Sequence, residues 1–261
     1  MPLRPLRTAP GRVARKLRWT LFPGSRPAPV GQDNQANREA WLQRTLATIP
    51  AGARILDAGP GEQQYRRFCT HLTYVSQDFG QYEGGAGPGL QVPSWNNTSL
   101  DIVCDITNIP EPDASFDAIM CIEVLEHVPD PVAALRELSR LLKPGGTIIL
   151  TAPFCALTHL APYFFATGLS RYWYEHWLPA LGIDIVELEA NGNYFSYLAQ
   201  EVQRVESVAE RYTPRITLRN ADAGGVANLV GLLSRLSAAD KASSELLCYG
   251  LHVRGEKRQD V

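Results

Sequence analysis

Three features of the 261-residue sequence predict an α/β fold, a parallel sheet with helices on both faces. Short apolar runs alternate with helix-length segments from residue 37 to about residue 155. The first apolar run leads into "ILDAGPGEQQ", a two-glycine turn of the shape that cradles nucleotides. Hydrophobic residues make up 45% of the chain, enough to bury the core of one large domain.

Residues 1–36 read as a flexible basic arm, because the first 30 hold seven Lys/Arg and no acid, are proline-rich and lack periodicity. No apolar h-region marks a signal peptide there, and no 18-residue apolar run spans a bilayer anywhere. "LRWTLF" at 17–22 is either a weak peripheral contact with an anionic membrane or part of a disordered tail. A first helix follows at 37–48, stopped by Pro50. "ARILDA" is then a strand, "EQQYRRFCTHL" a helix and "TYVSQDF" a second strand. About twenty glycine-rich residues lead to a third strand, "DIVCDI", and a fourth, "FDAIMCIEV". "DPVAALRELSRLLKPGG" is the clearest helix. Asp130 caps it, Pro131 occupies its first turn, Leu135, Leu138 and Leu142 share a face, and Pro144-Gly145-Gly146 stops it. "TIILTAPF" is the fifth strand. Beyond 155, "RYWYEHWLPALG" predicts a helix, "IDIVELEA" a strand, 197–240 two helices around a Gly-Gly turn, and "SELLCYGLHVRG" a last strand. Residues 156–255 thus form the second half of the same domain, and 256–261 a tail.

The formal net charge of −2 argues against a nucleic-acid binder, and beyond the arm the balance falls to −9. Cys69, Cys104, Cys121, Cys155 and Cys248 are odd in number and never spaced C-x-x-C. Reduced thiols in a cytoplasmic protein explain them better than disulfides or zinc.

The turn carries its own ligand argument. Gly59 and Gly61 let backbone approach a ligand at a helix N-terminus. A dinucleotide loop would place a third glycine where Gln64 stands. Asp57 and Glu62 suit a cationic ligand rather than a pyrophosphate, and S-adenosylmethionine, with its ammonium and sulfonium, fits. Asp78, 21 residues after Asp57, ends the next strand and can accept from ribose hydroxyls. Asp105 can accept from an adenine amino group, with Ile106 packed on the base.

The order D-A-G-P-G, Q-D-F, C-D-I-T-x-I-P, "SFDAIMCIEVLEHV" and "LLKPGGTIIL" resembles the class I S-adenosylmethionine-dependent methyltransferases of the type 11 group, over residues 37–155. The resemblance implies a Rossmann-like seven-stranded sheet whose last strand is antiparallel, with a helical insertion before it. It further implies that Asp57, Gly59, Gly61 and Gln64 hold the methionine end, Asp78 and Phe79 the ribose, and Asp105 and Ile106 the adenine. Cys121 and Glu123 would line the methyl-donor pocket. The stretch 79–100 departs from the family's tight turn. It is either a lid, with Trp95 or Tyr82 over the ligand, or a surface excursion.

Seven of the chain's 23 aromatics fall between residues 163 and 177, just beyond the fifth strand, where an acceptor would bind. Trp173 and Trp177, at i, i+4, read as core packing. "HLAPYFF" and "GNYFSYLAQE" resemble methyltransferases associated with polysaccharide and glycoconjugate synthesis, so the expected reaction is O-methylation of a sugar or glycoconjugate hydroxyl. Methylation of a small phenol, acid or amine is the alternative, as is a non-catalytic cofactor-binding role. In-line transfer needs the acceptor atom within about 3 Å of the methyl, and a hydroxyl acceptor gains from a base. His159 is the first candidate base, His127 the second, and Tyr163 an orienting residue. Glu123, Glu126 and His127, at i, i+3, i+4, with His159, make an alternative divalent-metal set, which similar small-RNA and ubiquinone-pathway O-methyltransferases use. The expected partner is a small-molecule or glycan acceptor.

Overall fold

The computed structural model describes residues 29–259 other than 98, 214, 217 and 218. The first 28 residues of the basic arm, including 17–22, lie outside them. Seven strands form one sheet in the order β3-β2-β1-β4-β5-β7-β6. These are β1 (Arg54–Ala58), β2 (Thr73–Asp78), β3 (Ile102–Val103), β4 (Phe116–Ile122), β5 (Leu142–Pro153), β6 (Ile183–Asn191) and β7 (Gly250–Lys257). Pairing is parallel from β3 through β5, while β7 runs antiparallel to both neighbours. The sheet order reverses between β1 and β4, so a ligand crevice is expected beyond the carboxyl ends of β1, β2 and β4.

Each sheet face is covered by a separate apolar layer. Helix α1 (Asn34–Leu46) lays Trp41, Leu42 and Leu46 against Ile55, Met120 and Ile149. On the opposite face, α2 (Pro131–Leu141) and α3 (Arg171–Ala180) pack on Leu56, Ile119 and Leu150. The start of α2 follows its sequence: the Asp130 carboxylate accepts from the N–H groups of Val132 and Ala133, with Pro131 behind it. Trp173 and Trp177 pack against this layer, as their spacing suggests, and Tyr174 is fully buried. Two further helices, α4 (Tyr194–Tyr212) and α5 (Asn220–Ala239), form a hairpin before β7.

Several elements differ from expectation. The helix predicted after β1 is a run of turns with one 3-10 turn at Arg66–Phe68. Gln63 adopts a left-handed backbone (φ 58°), which no helix continues through. The Gly224-Gly225 pair lies inside α5 instead of between helices, with open space around both. One helix ends at Tyr212 and the next begins at Asn220, where Asp222 fixes the helix start by accepting the Arg219 N–H. The third strand shrinks to two residues, with Asp101 bonded to Ser76 at its start and the Asp105 carboxylate turned onto Thr107 beyond its end.

Candidate active site

A cavity of about 950 Å³ opens at the carboxyl ends of β1, β2 and β4, where the topology places it. Asp57, Gly59, Gly61, Gln64, Asp78, Phe79, Asp105, Ile106 and Glu123 all line it. Cys121 does not. Strand alternation turns its thiol into the α2-side core, where burial pushes its pKa up, and the cavity wall is made by Ile122 and Glu123.

The glycine turn is tightly fitted. Gly59 has φ +75°, and a Cβ there would stand 2.5 Å from Val124 Cγ2. Gly61 has φ +53°, and its Cβ would stand 2.7 Å from Trp95 Cζ2. Trp95 thus places part of the 79–100 segment against the turn, over which the segment folds back. Asn96 donates its N–H to Glu62, Gln63 donates to the Ser99 carbonyl, and Tyr82 is buried edge-on to Trp95. Its middle reaches the other wall, where Leu90 N–H bonds the Thr158 carbonyl and Leu160 N–H bonds Leu90. The segment therefore bridges the cofactor turn and the loop carrying His159.

Carboxylates dominate the lining. Asp57 is buried and accepts from Tyr74 Oη at 2.6 Å, and burial raises its pKa to about 7. Burial also raises Asp78, against the pull of backbone N–H groups from Gly80, Gly61 and Phe79. Glu123 sits at φ +56°, a strained position held from two sides. Arg38 Nη1 lies 2.8 Å from one of its oxygens, and Thr151 Oγ1 donates to the other at 2.8 Å. Asp57, Glu62, Asp78, Asp105, Glu123 and Glu126 face Arg38 and Arg204 as the guanidinium groups of this wall. Both guanidinium groups are paired, Arg38 with Glu123 and Arg204 with Glu201, so the carboxylates of this wall outnumber its cations. The left-handed glycines, the acidic wall and the acids at two strand ends fit S-adenosylmethionine, which supplies ammonium, sulfonium, ribose and adenine to match them.

The acceptor side gathers the predicted bases. The His127 and His159 rings lie edge to face, 4.6 Å between centroids. His127 Nδ1 donates to the backbone carbonyl of Tyr163, and His159 Nδ1 to that of Leu157 at 2.9 Å, so in the neutral form of either ring Nε2 carries the lone pair. Burial lowers the His127 pKa to about 4 and keeps the ring neutral. Tyr163 therefore orients His127 through its main chain, while its ring packs on Phe79 at 4.8 Å. Glu126 is fully buried beside them. Neither of its oxygens finds a hydrogen-bond partner among the described residues, and burial together with Glu123 holds its pKa well above the usual carboxylate range. One ligand atom each from Glu126, His127 and His159 fall within 4.8 Å of one another. Glu123 stands outside this cluster, held by Arg38 and Thr151.

Arg38 is the residue that sequence reading missed. It shares the helix face of Trp41 and Leu42 at i+3 and i+4, and a charge on that buried face was the available signal.

A family model described as a methyltransferase domain matches residues 32–204. The ubiquinone biosynthesis O-methyltransferase of Xanthomonas oryzae pv. oryzae is 36% identical over 105 residues, 39% of this chain and 43% of that protein. The demethylmenaquinone methyltransferase of Clavibacter sepedonicus is 31% identical over 172 residues, 64% of this chain and 66% of that one. The chain thus spans less than half the length of the first of these relatives. Among solved structures, a proposed sarcosine dimethylglycine methyltransferase from Galdieria sulphuraria aligns with TM-score 0.54 at 13% identity, over 95% of this chain and all of that one. The [4+2]-cyclase SpnF aligns with TM-score 0.53 at 18% identity, over 85% and 81%. Both show the shared fold.

Proposed function

The chain belongs to the methyltransferase-domain family; from that premise we propose that it is a class I S-adenosylmethionine-dependent methyltransferase that O-methylates a hydroxyl on a planar phenol or hydroquinone ring. The named relatives support a ring acceptor over the sugar or glycoconjugate hydroxyl expected from the sequence. The acceptor wall supports it too, since Leu157, Tyr163 and Phe165 offer apolar and aromatic surface beside the histidines.

The observation that carries this reading is the pair His127 and His159, each tied through Nδ1 to a main-chain carbonyl, with both Nε2 atoms left to meet a hydroxyl. The bound cofactor supplies an electrophilic methyl on a good leaving group. Asp57 and Glu123 take its ammonium end, Asp78 its ribose and Asp105 its adenine. His159 Nε2 accepts the acceptor's O–H proton as the oxygen takes the methyl, becoming an imidazolium, and His127 holds the His159 ring in place. Phe79, packed on Tyr163, joins the ribose contact to the acceptor loop. His159→Ala should lower kcat on a catechol or hydroquinone acceptor by about 10²-fold or more while leaving S-adenosylhomocysteine affinity unchanged. Unchanged kcat would remove His159 as the base.

One observation favours a second reading. The unpartnered Glu126 carboxylate and the two free Nε2 atoms have the donor chemistry and spacing for a divalent cation. These three residues would hold Mg²⁺ or Mn²⁺, which would supply Lewis-acid activation of the acceptor hydroxyl. Activity that persists unchanged in EDTA would remove that option.

A further inference from the structure

We propose, on the reading of His159 as the base, that Arg211 is a positioning residue: it clamps the stretch 87–91, and the main chain of that stretch holds His159 in place. Arg211, near the end of α4, donates from Nη2 to the Gly87 carbonyl at 2.9 Å and from Nη1 to the Gly89 carbonyl. The Pro88 carbonyl between them accepts from Gln91 Nε2 at 2.6 Å, and Gln91 Oε1 accepts from Tyr82 Oη. Leu90 then brackets the histidine. Its N–H donates to the Thr158 carbonyl at 2.8 Å and its carbonyl accepts from the Leu160 N–H at 3.1 Å, one bond on each side of His159. Leu90 and His159 thereby pair as a parallel bridge. Gly89 permits the approach, since at φ +78° a Cβ there would stand 2.5 Å from the Thr158 oxygen.

The composition of the stretch makes a clamp necessary. Four of the six residues 84–89 are glycine, which are costly to order. A bridge of two bonds on an exposed rim opens easily unless its neighbours are fixed. The guanidinium fork fixes two carbonyls at once through charge-assisted bonds, which the point charge of a lysine cannot do. Arg211 does not line the cavity, so it acts on the site only through this backbone. What it sets is the aim of His159. The ring is tied through Nδ1 to the Leu157 carbonyl and packs edge to face on His127, so a shift of the chain at 158–160 turns Nε2 away from the acceptor. A displacement of about 1 Å removes much of the advantage of a placed base. The cofactor turn is braced separately, by Trp95 over Gly61 and by the bond from Asn96 to Glu62. Loss of the clamp should therefore strike proton removal and spare cofactor binding.

The test uses the full chain with Arg211→Met, which keeps the aliphatic stem and removes the donors, and Gly89→Ala, which breaks the same contact from the other side. Amide hydrogen exchange at Leu90 and Leu160 should quicken about tenfold in both variants, with the amides of β1 and β4 unchanged. At pH 8, Arg211→Met should lower kcat about tenfold on catechol, whose hydroxyl must give up its proton. On 4-nitrocatechol, which is already ionised there, the loss should be no more than about twofold. KM and S-adenosylhomocysteine affinity should stay within about twofold, which certifies the fold. Arg211→Met added to His159→Ala should lower catechol turnover little further, because the clamp acts through that ring. Unchanged exchange at Leu90 and Leu160 overturns the proposal, and so does an equal loss of kcat on the two acceptors. Failure of the acceptor reading looks different: His159→Ala would leave kcat unchanged, or neither phenol would be methylated. The exchange measurement would still decide whether Arg211 places the loop.

Discussion

Asp57 links cofactor binding to pH. Its carboxyl is buried, bonded by Tyr74, and carries a pKa of about 7 because burial opposes its charge. A ligand ammonium placed beside it favours the carboxylate and returns the pKa toward its ordinary value near 4. Below pH 7 each binding event must therefore expel a proton, and above it none. Between pH 8 and pH 6 the ionised fraction of Asp57 in the free protein falls from about nine-tenths to about one-tenth, so affinity should weaken about tenfold. Calorimetry with S-adenosylhomocysteine, which retains the ammonium, measures both the affinity and, in buffers of different ionisation heat, the proton released at pH 6. Asp57→Asn should bind more weakly at pH 8 and lose the pH dependence between 6 and 8. Equal affinity at the two pH values in the wild type, or an unchanged slope in Asp57→Asn, would refute the reasoning.

Three substitutions probe the rest of the wall. Gly59→Ala forces a Cβ to 2.5 Å from Val124 at φ +75° and should cost more than tenfold in S-adenosylhomocysteine affinity, only partly recovered in Gly59→Ala with Val124→Ala. Arg38→Gln removes the cation paired with Glu123 at its strained position and should lower unfolding free energy by about 2–4 kcal/mol in urea titrations. Trp95→Ala removes the ring lying over Gly61 and should speed S-adenosylhomocysteine release about fivefold in stopped-flow displacement.

The features legible in the sequence are those set by near neighbours along the chain. The first two strands, the Asp130 cap with Pro131, and the acids Asp57 and Asp78 near the carboxyl ends of β1 and β2 are local patterns, and each holds in the structure. The antiparallel β7, implied by family resemblance, also holds. What escaped depends on partners distant in sequence or on single backbone angles. The missing helix after β1 turns on one left-handed residue, Gln63. Cys121 was misplaced by a one-residue shift of face, which in a strand exchanges cavity for core. Arg38 meets Glu123 across 85 positions, and the histidines are aimed by main-chain carbonyls that carry no side-chain signature. The fold alone could not have supplied the chemistry, since a protein named as a [4+2]-cyclase shares it.

Glu126 is where the two accounts of the acceptor side part. A buried carboxylate with no bonding partner is costly, and its raised pKa means the folded chain holds a proton that the unfolded chain releases. Stability should therefore fall as pH rises above the usual glutamate value near 4.5, and Glu126→Gln should remove that fall. The variant should gain roughly 1–3 kcal/mol at pH 8, read by urea unfolding, provided nothing positive binds there. If Glu126 serves a divalent cation, Mn²⁺ should raise the wild-type melting temperature at pH 8, EDTA should reverse it, and Glu126→Gln should not respond. If it instead tunes the histidine pair as a neutral acid, Mn²⁺ should have no effect, and Glu126→Gln should shift the pH profile of kcat rather than abolish turnover. A variant neither more stable nor altered in that profile, in a chain indifferent to Mn²⁺, would make Glu126 a packing residue and leave His127 and His159 to act without it.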